Sequence, residues 1–176
     1  MQTTKYVVSV FISAVLVLGF ATSEGKIAKA QHSKSSVSLL RARCVDSGAG
    51  SVRDQNQDIS IGRAVYSSQF YLGPGSRYAS ITCNIKPMNT GYQGFQTLNL
   101  GFGMRDNDTL SPGVQVKVYL DGRPVQARTV SPTHQISLSL NVNNISNVAI
   151  EAVCTNQSQY CDRVYFFDAS LQHQGK

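Results

Sequence analysis

Tryptophan is absent from the 176 residues, and histidine occurs only three times. The first absence removes the largest flat apolar side chain, so any aromatic contact surface must be built from tyrosine or phenylalanine. The second thins out acid–base and metal chemistry. His32 precedes the folded part, His173 lies near the C-terminus, and only His134, in a Ser-Pro-Thr-His turn, belongs to the body of the chain. No C-x-x-C pair is present, so zinc-knuckle spacing is lacking. A G-x-S-x-G elbow, an H-E-x-x-H helix and a P-loop are missing too. Gly101–Asp106 (GFGMRD) is glycine-rich, but no helical pattern follows to offer an N-terminal dipole to phosphate. The chain is therefore expected not to be an enzyme.

Charge is scarce as well. Asp, Glu, Lys and Arg make up 15% of the residues against 41% hydrophobic ones, a balance that supports a core and not a disordered polymer. Lys and Arg exceed Asp and Glu by 16 to 10, for a formal charge of +6, yet the basic residues are scattered and never form a run. Nucleic acid is thus not expected as a partner, whereas a mildly basic surface suits anionic envelope polymers or polysaccharides.

A run of about 20 apolar residues, the length that crosses a bilayer, is also missing. The uncharged stretch Tyr6–Phe20 is shorter, follows Lys5 and precedes the small residues Ala21-Thr22-Ser23. That order is the signature of a secretory leader that forms a short helix before it is cut away. The expected division is a signal peptide over 1–23, a Lys- and Ser-rich linker over 24–36, and one folded domain over 37–172, with Ala28-Lys29-Ala30 as a second cleavage position. The first cysteine after the leader is Cys44, too distant to carry a lipid anchor. The product is expected to be secreted, periplasmic or at the cell surface, without membrane insertion, and monomeric.

All four cysteines lie in the mature part, and an even number in an exported chain favours two disulfides. Four cysteines permit three connectivities. Cys154 and Cys161 flank TNQSQY, a polar loop of hairpin size that closes at low entropic cost, which leaves Cys44 with Cys83.

Apolar residues recur at every second position from about Val37 onward. The clearest run is Val114, Val116, Val118 and Leu120, followed by Asp121-Gly122 and a returning segment Arg123–Val130, a hairpin joined by residues that accept positive φ. Similar alternation runs through Ala79–Ile85, Leu98–Phe102, Ile136–Val142 and Val148–Ala152. The last segment, Arg163–Leu171, is apolar on both faces at Tyr165, Phe166 and Phe167, as in a strand buried between layers. Turn residues separate these runs, and no helical period lasts beyond one turn. The pattern predicts an all-β antiparallel β-sandwich or jelly roll.

Such sandwiches bind sugars with flat rings against C–H faces and with amides or carboxylates reaching the hydroxyls. Tyr92, in the loop Asn89–Gly94, and Tyr160, in the TNQSQY loop, are the candidate platforms, with Asp106 and Asp108 as candidate carboxylates. The last two lie in a turn, where acidic residues cap backbone or hold calcium more readily than they hydrolyse glycosides.

The ordered series RYASITCNI (77–85), LNLGFGMRDND (98–108), VQVKVYLDGRPVQARTV (114–130), QISLSLNVNNISNVAIEAVC (135–154) and CDRVYFFDASL (161–171) resembles the NPCBM family of carbohydrate-binding modules. That family is related to the binding module of family 98 glycoside hydrolases. The resemblance implies a galactose-binding-like jelly roll, recognition of galactose-type glycans and a structural calcium. Asp54, Asp58 and Asp168 would be its calcium ligands, where first and last strands meet. Phe167-Asp168-Ala169 stands where the family has a tryptophan, and the family's preceding histidine is missing. The expected function is that of a secreted, non-catalytic carbohydrate-binding module. The alternative is an envelope or matrix protein that uses the same fold for protein or polymer contacts.

Overall fold

A computed structural model describes residues 36–86 and 94–173. The leader, the linker and Tyr92 lie outside the described residues. Short strand β1 (Ser36–Ser38) leads into a single 3-10 turn, Leu39–Arg41, in which the Leu40 amide donates to the Ser38 hydroxyl. The chain continues through β2 (Arg43–Gly48), β3 (Ser51–Ile61), β4 (Ala64–Gly73), β5 (Tyr78–Asn84) and β6 (Phe95–Gly103). It ends with β7 (Val114–Leu120), β8 (Arg123–Val130), β9 (Gln135–Asn141), β10 (Asn147–Cys154) and β11 (Val164–His173).

The strands form two antiparallel sheets. One has the order β3-β4-β11-β6-β9, with β1 beside the end of β11, and the other has the order β2-β5-β10-β7-β8. The expected all-β sandwich is thus the observed architecture. Strand β7 shows how alternation builds it: Val114, Val116, Val118 and Leu120 are buried while the residues between them are half-buried on the far face. Its hairpin turn places Asp121 at φ 46° and Gly122 at φ 79°, the left-handed pair that the Asp-Gly sequence favours.

The core between the sheets joins Val116, Val118 and Ile150 of one to Phe70, Leu100, Phe102 and Phe166 of the other. Phe70 and Phe166 stack with ring centroids 4.4 Å apart and planes within 5°. Cys44 and Cys83 face each other across β2 and β5 and are joined, as are Cys154 and Cys161. Constraint of the unfolded chain gives the first bridge, which spans 39 residues, about 4 kcal/mol, and the second, which spans 7, about 2 kcal/mol.

A second, smaller cluster lies on the other face of the β11 sheet. Tyr165 alternates with the core residues Val164 and Phe166 and is itself fully buried, beside Tyr71, Ile59 and Ile61. Its cover comes from the β3–β4 hairpin. Strand β4 pairs with β11 only through Phe70–Leu72. Beyond that point the hairpin runs over Gly103 of β6, where a side chain would meet Ile61, while at Gly101 a side chain would overlap the Phe167 ring of β11. The tip, Gly62-Arg63, has φ of 59° and 67° and reaches Thr133 in the turn between β8 and β9.

Leu100 is 1% exposed at the centre of the β11 sheet. Leu100→Ala is expected to cost about 2–5 kcal/mol through lost transfer energy and an unfilled cavity, measured as a shifted urea midpoint at constant slope.

Candidate functional site

Five connections gather where β2, β4, β6, β8 and β10 end, and backbone bonds lace them together. The Cys161 amide donates to the Gly75 carbonyl at 2.9 Å, Cys154 to Arg77 at 3.0 Å, Gly50 to Tyr78 at 2.9 Å, and Met104 to His134 at 3.2 Å. The Asp162 amide donates to the Ser111 hydroxyl at 2.8 Å. Loops that would otherwise move independently are thereby held as one surface.

Within it opens a cleft of about 440 Å³, lined by Ala49–Ser51, Gly73–Arg77 and Tyr160. Tyr160 is 68% exposed. One part of its ring rests on Gly75, where a β-carbon would stand 3.5 Å from the ring and where φ is 61°, so glycine serves both the turn and the close approach. The Pro74–Arg77 turn is closed by the Arg77 amide on the Pro74 carbonyl at 3.1 Å. The loop that carries Tyr160 is braced from within. Asn156 Oδ1 accepts from the Ser158 amide and hydroxyl at 3.1 and 2.6 Å, and its amide donates to Gln159 Oε1 at 3.0 Å. With Cys154–Cys161 at its base, the loop displays an aromatic ring that has little freedom left to lose on binding a ligand.

Asp106 and Asp108, expected to face a ligand, both make hydrogen bonds within the chain, Asp106 half-exposed and Asp108 buried. Asp106 accepts from the Ser60 hydroxyl at 2.6 Å and from the amides of Gly62 and Arg63 at 2.6 and 3.0 Å, so it clamps the tip of the β3–β4 hairpin. Asp108 is 5% exposed and takes a two-pronged bond from Arg105, at 2.8 and 3.2 Å. The Arg105 guanidinium lies 5.0 Å over the Tyr165 ring, and that of Arg163 lies 4.4 Å over Tyr71. Both carboxylates therefore fasten the cover of the second cluster.

The candidate calcium ligands are not gathered either. Asp54 and Asp58 lie on the edge strand β3, Asp58 already accepts from the Ser67 hydroxyl at 2.7 Å, and Asp168 sits on β11. Among the described residues no group of three or more His, Cys, Asp or Glu is placed to hold a metal ion.

A second cleft, of about 520 Å³, is lined by Asn56–Asp58, Ser67–Gln69 and Phe167. Of its residues, the sequence singled out only Asp58, as a calcium ligand, and Phe167, in the last strand; Asn56, Gln57 and Ser67–Gln69 were missed because β3 and β4 carry no clean alternation. Gly75 and Arg77 at the first cleft were missed because only the folded chain brings Gly73–Arg77 beside the TNQSQY loop.

The fold resembles solved carbohydrate-binding structures. The second CBM51 module of Clostridium perfringens ZmpB, solved with GlcNAc and INT domains, superposes with a TM-score of 0.63 at 17% identity, covering 79% of this chain and 32% of that one. A CBM51 module from Clostridium perfringens GH95, in complex with methyl-galactose, gives 0.61 at 14% identity and covers 78% of this chain and all of that one. The tandem CBM51 modules of a Streptococcus pneumoniae family 98 glycoside hydrolase give 0.62 at 13%, covering 82% and 49%. This chain thus spans about a third of the ZmpB fragment and about half of the tandem. No protein-family model matches it, and no curated protein matches it in sequence. The likeness shows a two-sheet antiparallel β-sandwich.

Two aspartates in the loops that follow β6 and β10 have opposite electrostatics. Hydrogen bonds from the Ser60 hydroxyl and the Arg63 amide hold the Asp106 carboxyl below the usual carboxylate range. Burial, then the neighbouring Asp108 carboxylate, pushes Asp162 above it. The stability that Asp106 contributes is whole above the ordinary range and is lost as pH falls through its lowered value. The charge on Asp162 instead costs stability, increasingly as pH rises from the ordinary range to its raised value. Asp106→Asn is therefore expected to lower the melting temperature at pH 7, with the gap closing in strong acid. Asp162→Asn should raise it at pH 7, with the gain gone below about pH 4; calorimetry across pH 3–8 checks both signs.

Proposed function

We propose that this chain is an exported, non-catalytic carbohydrate-binding module whose sugar site is the Tyr160 cleft. The observation that carries this reading is a mostly exposed tyrosine ring, seated on a glycine and stapled by a disulfide at the loop end of the sandwich. A ring so placed offers an apolar face to sugar C–H groups at little entropic cost. The Arg77, Ser76 and Ser51 side chains and the Gly73–Gly75 backbone supply polar groups for hydroxyls. Relatives in fold that were solved with methyl-galactose and GlcNAc support a neutral hexose or hexosamine as ligand, with galactose-type glycans first. Export is supported by the leader-like start and by two disulfides, which persist in oxidising compartments. No helix among the described residues is long and apolar enough to cross a membrane.

On a glycan array the mature domain is expected to bind saturably to galactose- or GlcNAc-terminated structures, and Tyr160→Ala should weaken that binding about tenfold or more, a loss of about 1.4 kcal/mol. Uniform silence across the array would instead favour an envelope or matrix protein that contacts proteins or polymers.

The two disulfides should separate stability from binding. Replacing Cys154 and Cys161 by serine is expected to cost about 2 kcal/mol of stability yet to weaken sugar binding strongly, because the Tyr160 loop loses its base. Replacing Cys44 and Cys83 should cost about 4 kcal/mol and leave the affinity of the folded protein unchanged, as measured by denaturation and calorimetric titration on the same variants.

A further inference from the structure

We infer that the cleft beside Phe167 is a second, separate carbohydrate subsite, built to take one neutral sugar ring. This goes beyond the Tyr160 reading and stands without it.

The cleft is made by two breaks in regular strand pairing. On β3, Asp54 pairs with Phe70 and Gln57 with Ser68, so Gln55 and Asn56 together oppose Gln69 alone. On β11, Phe166 pairs with Phe102 and Asp168 with Gly101, leaving Phe167 without a partner on β6. Bulges re-aim side chains, and each of these contributes a residue to the same cleft: Asn56 from one and Phe167 from the other. The Phe167 ring is fixed by its neighbours. It lies on Gly101, where any side chain would overlap it, and the Tyr66 ring stands 4.5 Å away with its plane tilted by 33°.

Around this apolar wall the polar groups are held and partly free. The Ser67 hydroxyl donates to Asp58 Oδ1 at 2.7 Å, and Asp58 Oδ2 has no hydrogen bond among the described residues. The Gln69 amide is anchored below, donating to the Phe167 carbonyl at 3.4 Å and accepting from the Ser38 hydroxyl at 3.3 Å. The Asp58 acceptor and the two-sided amide of Asn56 stand at alternate positions of β3, on the face that Asp58 shares with its pairing partner Ser67, and with Phe167 lining the same cleft they match the alternating C–H and O–H surface of a sugar. The single carboxylate disfavours acidic sugars through like charge.

The two clefts are too far apart to share a ring. Gln57 lies six residues along β3 from Ser51 at the Tyr160 cleft, a separation of roughly 20 Å. The chain therefore offers two points of attachment to a branched or repeating glycan, and simultaneous use would raise avidity well above that of either alone.

Amide NMR of the isotope-labelled mature domain tests this, titrated in turn with methyl-galactoside, N-acetylglucosamine, mannose and N-acetylneuraminic acid. At least one neutral sugar is expected to shift the amides of 56–58 and 67–69 saturably, while the acidic sugar leaves them unmoved. These shifts should persist in Tyr160→Ala and disappear in Asn56→Trp, which fills the cleft. Asp58→Asn, a milder change on an exposed strand, should weaken the same binding about tenfold or more should the tryptophan variant fail to fold. Loss of shifts at 49–51 and 75–77 alone would remove the Tyr160 site and leave this one standing. Amides at 56–58 and 67–69 that ignore every neutral sugar, or that respond equally in Asp58→Asn, would overturn the proposal.

Discussion

Apolar side chains buried between two sheets hold everything else in place. Val114, Val116, Val118 and Ile150 on one side meet Phe70, Leu100, Phe102 and Phe166 on the other, and this contact is possible only because strand side chains alternate. The loops at the two ends inherit their positions from that contact. Neither cleft has a large hydrophobic floor of its own; each is a surface feature resting on backbone that the core has already ordered.

The β11 strand transmits that order furthest. Phe166 points into the main core, while its neighbour Tyr165 anchors the second cluster on the opposite face. The cover of that cluster is held by charge and hydrogen bonding where apolar area runs short: Asp106 grips the hairpin tip, and Asp108 orients Arg105 over Tyr165. Acidic residues in the β6–β7 loop thus act as fasteners between elements distant in sequence. Their local surroundings of Asn, Asp and Gly look the same in the chain whether the carboxylate faces a ligand or a neighbouring turn.

That ambiguity marks the boundary of what could be read from residues alone. The β7–β8 hairpin was legible because strict two-residue alternation and Asp-Gly agree; loop size pointed to Cys154–Cys161, and Cys44–Cys83 was the pair that remained. The β3–β4 hairpin was not legible, since β3 is polar from Arg53 to Asp58 and apolar only at Val52, Ile59 and Ile61, lies at a sheet edge and contains a bulge that shifts its register. Asp54, Asp58 and Asp168 looked like a ligand set by residue type, yet their strands do not gather them. Tyr160 stood out as an aromatic residue between two cysteines, whereas its seat on Gly75 depends on a contact between loops that no periodicity encodes. Phe167 was read as part of a buried run, and the pairing shift that turns it toward a cleft is a property of the folded sheet.

The irregularity at Gln55 and Asn56 has an effect on solubility as well. Strand β3 closes one side of its sheet, and an unbroken row of free amides and carbonyls there would template pairing with another molecule. The extra residue interrupts that row midway, and the exposed charges of Arg53, Asp54 and Asp58 flank the interruption. A flat border suited to stacking into fibrils is thereby replaced by a kinked, charged one, which removes a template for edge-to-edge pairing.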